Sequence, residues 1–165
     1  MLFRSFLVTA RDSQGLGIYL VRPGSSGLSV AATSTIDARG TAVLTLTDTP
    51  ARRIGSGDAS RALDRALDLG ALAACAEAVG AMSTLVDLTV AHLKVRKQFG
   101  RALAEFQVLQ HRVVDMYVHA EESAAAVDAA VGQFDGDEAQ RARWVSIAKS
   151  QCARSGRYVS QQAIQ

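Results

Sequence analysis

Apolar residues recur at helical spacing through most of the chain beyond residue 58. The first run is unbroken by proline and has apolar residues at positions 63, 67, 72, 76, 79, 82, 86, 90 and 93. Steps of mostly three and four place these residues on one face of a helix. Two further runs, over about 105–133 and from about 137 onward, repeat the spacing. Three long helices with short joins predict an antiparallel, up-and-down helical bundle.

The same spacing predicts which side chains of the second and third helices face the core. The inward residues of the second are expected to be Phe106, Leu109, Val113, Met116, Tyr117, Ala120, Ala124 and Val127. Those of the third are expected to be Trp144, Ile147, Ala148, Cys152, Val159 and Ala163. Small residues around Gly80 would let another backbone approach the first helix, which offsets the cost of a glycine within a helix.

The first 50 or so residues follow a different pattern, typical of β-strands. Short runs with loose alternation end at clusters of turn-forming residues, and they cover residues 6–8, 17–21, 28–36 and 41–47. Four such strands predict one antiparallel sheet. The overall prediction is therefore an α+β chain, in which a short antiparallel β segment precedes the helices.

A turn-rich stretch separates the two patterns. Residues 50–57 are predicted to be a linker, and Asp58 and Ser60 are candidate N-caps for the first helix. The predicted domains are a partial β-domain over 1–56 and a helical domain over 57–165. The third helical pattern continues to the last residue, so we expect the bundle's fourth helix to lie outside this sequence.

Composition narrows the possible partners and compartment. The chain is 48% hydrophobic and 21% charged, as globular domains are, and its net charge of +2 gives no reason to expect a nucleic-acid partner. Glu77 and Asp87 interrupt the most apolar helix, so no membrane span is expected. Cys75 and Cys152 lack disulfide or metal spacing and are expected to be buried thiols in a reducing cytoplasm.

The residues best suited to bind a ligand lie at the join between the first two helices. Lys94, Arg96 and Lys97 suit the negative end of a helix dipole, and Gly100 could supply the positive φ that ends a helix. The planar fork of an arginine also suits phosphate, and nearby glutamines and an aromatic ring suit a heterocycle or a pyrophosphate. The residue types alone leave both interpretations open, a charged helix end and an anion site.

A longer pattern resembles a known family. The sequence Arg96-Lys97-Gln98-Phe99-Gly100, followed by Phe106-Gln107-x-x-Gln110-His111-Arg112, resembles the flavin-binding segment of acyl-CoA dehydrogenases. The resemblance extends over the strand-rich start, the helix around Gly80 and the final residues 163–165. It implies the end of the family's middle β-domain followed by most of its C-terminal helical domain. It also implies FAD bound across a subunit interface.

The resemblance assigns roles to individual residues. Five positions are implied to bind FAD: Arg96, Gln98, Phe99, Gln107 and Gln165. Arg96 would pair with the pyrophosphate, whereas Arg112 on the next helix is expected to matter much less. Asp68 falls where the family has a residue near the thioester end of its substrate, so it is the implied substrate contact.

The implied reaction is α,β-dehydrogenation of an acyl-CoA, as in fatty-acid oxidation, with reoxidation by an electron-transfer partner. The family's catalytic base usually follows a Gly-Gly turn, which would lie beyond Gln165. Some branches place it on the first long helix, where this chain has Gly70, and the arginine often found three residues after Asp68 is Ala71. No catalytic residue is therefore expected here, and the chain alone is expected to be inactive.

Other functions stay open. One is a flavin monooxygenase or oxidase of the same fold, and another is a non-catalytic helical subunit that completes a partner's FAD site. In each case the protein is expected to be a homo- or hetero-oligomer assembled through the helical domain. No metal is expected, because Glu105, His111, Asp115 and His119 lack the Glu-x-x-His spacing of di-iron bundles. Ser155 and Ser160 have no histidine nearby in sequence, so nucleophilic catalysis is not expected.

Overall fold

The computed structural model describes residues 5–37 and 40–165 and shows an α+β chain, which confirms the predicted fold class. The chain divides into two compact units, the first ending at Asp64 and the second spanning Arg65–Gln165. The described strands of the first unit are β1 (Phe6–Asp12), β2 (Gly15–Val21), β3 (Leu28–Ser34), β4 (Gly40–Leu46) and β5 (Arg52–Ile54). The helices are α1 (Ser60–Val95), α2 (Gln107–Gly132) and α3 (Glu138–Ile164).

The described strands of the first unit form two sheets, so the prediction of one antiparallel sheet there is wrong. Strands β1, β2 and β5 make an antiparallel sheet with β2 in the centre, whereas β3 and β4 form a separate antiparallel hairpin. Strand β5 lies inside the predicted linker. It is anchored by Arg53, whose guanidinium forms an ion pair with Asp12 at 3.0 Å and donates to the Gln14 side chain at 2.8 Å. This pairing spans some forty residues and leaves no local sequence signal.

Two carboxylates organise the turns of the first unit. The Tyr19 hydroxyl and the Gln14 amide donate to Asp12 and hold the pKa of that carboxyl below its usual range. Asp58 accepts from the Ser60 hydroxyl at 3.0 Å and from the Leu16 amide at 2.9 Å, and these bonds lower its pKa as well. Asp58, predicted as a helix cap, thus connects β2 to the first turn of α1.

The helical unit is built around two buried clusters to which all three helices contribute. One contains Leu72, Cys75, Val127, Ala130, Ala148 and Cys152. The other contains Met82, Val86, Met116, Ala120 and Val159. Since α1, α2 and α3 each supply residues to both clusters, the three long helices predicted from the spacing pack together in one bundle.

The buried faces differ in detail from the predicted ones. Four residues expected inside are exposed: Leu67, Ala76, Tyr117 and Ile147. Three polar residues are buried instead: Ser123, Arg141 and Ser155. Hydrophobicity alone cannot identify them, because a buried polar side chain is tolerated when it has a hydrogen-bond partner. Ser123 donates to the His119 carbonyl one turn earlier in α2, whereas Arg141 and Ser155 have partners on other helices. Gly80 is exposed, and a Cβ there would meet nothing within 4 Å.

Helix α1 is long and apolar enough to cross a membrane by length and composition, despite Glu77 and Asp87. One such helix is weak support for a span, because the core helix of a bundle has the same length and composition. Here α1 supplies Leu72, Cys75 and Met82 to the buried clusters. The absence of a membrane span stays a prediction.

Both thiols should be inert in the folded protein. Cys75 and Cys152 are free and buried, and the Cys152 thiol donates to the Cys75 carbonyl at 3.8 Å. Burial raises the pKa of Cys152 to about 11, so little reactive thiolate is present at neutral pH. We expect a thiol-reactive dye to label neither residue under native conditions and to label both in denaturant. Rapid native labelling would contradict this packing.

Candidate cofactor-binding site

Helix α1 is followed by a small hairpin, which is the centre of the candidate site. Its strands are β6 (Lys97–Gln98) and β7 (Arg101–Ala102), with Gln98 paired to Arg101. The loop is Phe99–Gly100, with φ of 55° and 81°. Two successive positive φ values are the requirement of a type I′ hairpin turn. Gly100 therefore closes the hairpin. The prediction that it ends α1 is wrong, because α1 ends at Val95.

Phe99 is unusual in this turn. A non-glycine residue with positive φ is uncommon, and such strain is concentrated at functional sites. Phe99 is 91% exposed, although its ring makes an edge contact with Phe106 at 6.3 Å between centroids. The Arg101 guanidinium covers the same Phe106 ring at 4.0 Å. The hairpin is thus braced by aromatic contacts while it presents one aromatic ring to the outside.

Backbone bonds fix the position of the hairpin between the helices. The Arg96 amide donates to His92 in the last turn of α1 at 2.9 Å, and the Arg96 carbonyl accepts from Leu103 at 2.8 Å. The Glu105 carboxylate accepts from the Ala102 amide at 3.1 Å. These bonds lock the main chain, so the side chains on the hairpin are held on a rigid support.

The side chains of Arg96, Gln98 and Gln107 are all exposed. None of the three forms a side-chain hydrogen bond or ion pair within residues 5–37 and 40–165. Helix α2 begins at Gln107 without a side-chain cap and without an acidic residue in its first turn. The Leu109 amide already donates to the Phe106 carbonyl at 2.9 Å, which leaves the amides of Gln107 and Val108 and the positive end of the dipole for an anion.

These groups match the chemistry of a dinucleotide. A free guanidinium fork and an uncapped helix N-terminus suit a diphosphate, and amide side chains with an aromatic ring suit the attached base or ribose. The residues that the resemblance assigns to FAD thus fit the diphosphate-bearing part of that cofactor. The fit rests on exposed donors whose side chains form no hydrogen bond within the part of the chain that the structure describes.

Gln165 lies at the end of α3, where Arg112 of α2 reaches it. The Arg112 guanidinium donates to the Gln165 side-chain oxygen at 3.2 Å and to that of Gln162 at 3.3 Å. Both glutamines also line a cleft of about 300 Å³ among the three helices, together with Leu93 and Leu109. The Arg112–Gln165 bond spans 53 positions, which is why sequence reasoning gave Arg112 no part in the site.

The Asp68 carboxylate is already paired with another residue of the chain. Its carboxylate forms an ion pair with Arg141 of α3 at 2.9 Å, and the side chains of the two residues are 21% and 7% exposed. The role of Asp68 in binding substrate stays a prediction. Gly70, two residues on, is exposed, and a Cβ there would meet nothing within 4 Å. The position that carries the base in some branches therefore offers no carboxylate here.

Ser155 contacts a histidine that lies 36 residues away in sequence. His119 Nδ1 lies 3.2 Å from its hydroxyl oxygen, and Gln151 donates to the same oxygen at 3.1 Å. Ser155 is fully buried and the ring of Tyr158 packs 4.4 Å from His119, so no substrate can reach the hydroxyl. The contact is a polar link between α2 and α3. No group of three or more metal-ligating side chains is found among the described residues.

Comparison with known proteins identifies the helical unit. The family described as "Acyl-CoA dehydrogenase, C-terminal domain" matches residues 59–165, more than half of the chain. The chain belongs to the acyl-CoA dehydrogenase family. This confirms the family suggested by the hairpin sequence and the helix after it.

Individual relatives agree with this assignment. The acyl-CoA dehydrogenase IpdE2 of Mycolicibacterium smegmatis is 42% identical over 77 residues, which are 47% of this chain and 25% of IpdE2. The Tcur3481-Tcur3483 steroid ACAD G363A variant has a similar structure, with a TM-score of 0.83 and 32% identity, over 97% of this chain and 43% of that one.

A second solved structure shows likeness in fold alone. PigA with FAD and proline has a TM-score of 0.87 at 21% identity, over 99% of this chain and 46% of that one. The chain thus spans less than half the length of the solved structures that it matches.

Proposed function

We propose that this chain is the flavin-contacting part of an FAD-dependent acyl-CoA dehydrogenase. The observation that carries the proposal is the rigid hairpin, which presents Arg96, Gln98 and Phe99 as exposed side chains. The uncapped start of α2 at Gln107 adds free amides to the same segment. Together these residues would hold the diphosphate-bearing part of FAD, and bound FAD would supply the acceptor for the hydride removed from the acyl chain.

The hairpin supports cofactor binding across a subunit interface. Arg96 and Gln98 find no side-chain partner within the described part of their own chain, so both are free to contact a flavin. As the family resemblance implies, that flavin would be held mainly by a neighbouring subunit. Exposed apolar side chains on α2, Val114, Tyr117 and Val118, give an oligomer further surface to bury. We propose a homo- or hetero-oligomer formed through the helical unit.

The proposed substrate is an acyl-CoA thioester, and an electron-transfer protein would reoxidise the flavin. Removal of the α-proton needs a desolvated carboxylate whose pKa is raised towards neutrality. Asp68 is paired with Arg141 and residue 70 is a glycine, so neither position of α1 supplies that base. The base would come from outside the residues described. Free thiols at Cys75 and Cys152 support a reducing compartment, and we propose the cytoplasm.

A flavin reduction assay tests this function. The native full-length protein, purified with any accompanying subunit, should contain FAD, and a suitable acyl-CoA should bleach the flavin absorbance under anaerobic conditions. An artificial electron acceptor should then restore the colour. Rapid peroxide formation in air would favour the oxidase or monooxygenase alternative. A protein that neither contains nor binds FAD would contradict the proposal.

The non-catalytic subunit is a second candidate, favoured by Gly70 and by the outward-facing hairpin. Under it, this chain would complete the FAD site of a catalytic partner without performing chemistry itself. We expect the isolated chain, supplied with FAD, an electron acceptor and a panel of acyl-CoAs, to show no turnover above a protein-free control. Turnover by the chain alone would exclude the non-catalytic subunit.

A further inference from the structure

The contact between Arg112 and Gln165 defines which way the Gln165 amide faces. Arginine has donors only, so the group that it meets must be the amide oxygen. The oxygen is held at 3.2 Å, and the two N–H donors of the amide are left pointing away from Arg112. The bond therefore selects one of the two orientations of a side-chain amide.

We propose that Arg112 is a positioning residue that makes Gln165 a hydrogen-bond donor to the flavin cofactor. This inference rests on the proposed function. It specifies the ligand atom as an acceptor, a carbonyl oxygen, a ring nitrogen or a phosphate oxygen of FAD. The cleft of about 300 Å³ lined by Gln165, Gln162 and Arg112 gives such an atom room beside the amide.

A purely structural role for Arg112 is the competing explanation. A cation near the end of α3 offsets the helix dipole, and the second bond to Gln162 would connect α2 to α3 in any case. If Arg112 had only a structural role, replacing it would lower stability whether residue 165 is glutamine or alanine. A positioning role changes cofactor affinity, and only through Gln165.

A double-mutant cycle separates the two roles. FAD is titrated into the native apo-protein with its subunits, and each variant's melting temperature is recorded beside its Kd. Arg112→Ala and Gln165→Ala should each weaken FAD binding about three- to tenfold, the range expected for one hydrogen bond. The double variant should be no weaker than Gln165→Ala alone. If the two single losses of FAD affinity instead multiplied in the double variant, the positioning role would be overturned. The matched control Gln161→Ala, at an exposed glutamine of α3 outside the cleft, should leave affinity unchanged.

Gln165→Glu gives a second test that does not depend on removing Arg112. The carboxylate keeps the shape of the side chain and strengthens the contact with Arg112, but it has no donors to offer. Its melting temperature should equal or exceed that of the wild type, while FAD affinity falls at least as much as in Gln165→Ala. Unchanged affinity would overturn the proposal. A wild-type protein that binds no FAD would overturn the proposed function together with this inference.

Discussion

Arg141→Met should lower the free energy of unfolding of the native protein by about 3 kcal/mol, which is roughly a hundredfold in the ratio of folded to unfolded molecules. The Arg141 side chain is 7% exposed, and its guanidinium forms an ion pair with Asp68 between α3 and α1 at 2.9 Å. Its removal leaves a largely buried carboxylate without a partner, which is far less favourable than losing a surface contact. Urea denaturation followed by circular dichroism measures the change.

The pair between Arg65 and Asp135 is a matched control for this prediction. It also involves α1, but its side chains are 48% and 88% exposed, so Arg65→Met should lower stability by less than about 1 kcal/mol. Replacing both buried partners, as Asp68→Leu with Arg141→Met, should recover most of the loss, because no unpaired charge then remains. Equal losses of unfolding free energy for Arg65→Met and Arg141→Met would show that burial does not increase the contribution of the Asp68–Arg141 pair.

Arg96→Lys should weaken FAD binding about ten- to a hundredfold. Lysine keeps the charge but cannot donate two parallel bonds to a phosphate, and a charge-assisted hydrogen bond contributes about 1.5–3 kcal/mol. If Arg96 served only the helix dipole, the substitution would be nearly neutral. The structure weakens that alternative, because α1 ends at Val95 and its last turn already contains His92 and Lys94. Flavin titration of the native apo-protein measures the effect.

The control for Arg96 has to be chosen from the structure. Arg112 is unsuitable because it contacts Gln165, whereas Arg143 is exposed on α3 and has no assigned role. Arg143→Lys should leave FAD affinity unchanged. Equal affinity for wild type and Arg96→Lys would mean that the hairpin has been assigned to the wrong ligand group.

The helices could be predicted because a 3.6-residue period repeated over more than twenty residues is a strong local signal. Strand pairing is a tertiary property, so the sequence pattern located β1 to β4 but could not separate their two sheets. It also missed β5, whose position depends on the pairing of Arg53 with Asp12. A three-residue strand in a turn-rich stretch has too little pattern to distinguish it from a linker.

The candidate site was predictable where residue types lie close together in sequence. Arg96, Gln98 and Phe99 form a compact motif, and the need for positive φ at Gly100 was correct even though the element proved to be a hairpin. The long-range partners were not predictable. The Asp68–Arg141 bond spans 73 positions and the His119–Ser155 bond spans 36, so only the packed helices bring these side chains together.

The central claim is that the hairpin binds the diphosphate of FAD from a neighbouring subunit. A structure of the native full-length protein with FAD bound, by crystallography or cryo-electron microscopy, tests it most directly. We expect the Arg96 guanidinium within hydrogen-bond distance of the diphosphate, on a flavin whose ring system is held by another subunit. Clear density for FAD with Arg96 in solvent, or with its diphosphate held by other residues, would contradict the claim.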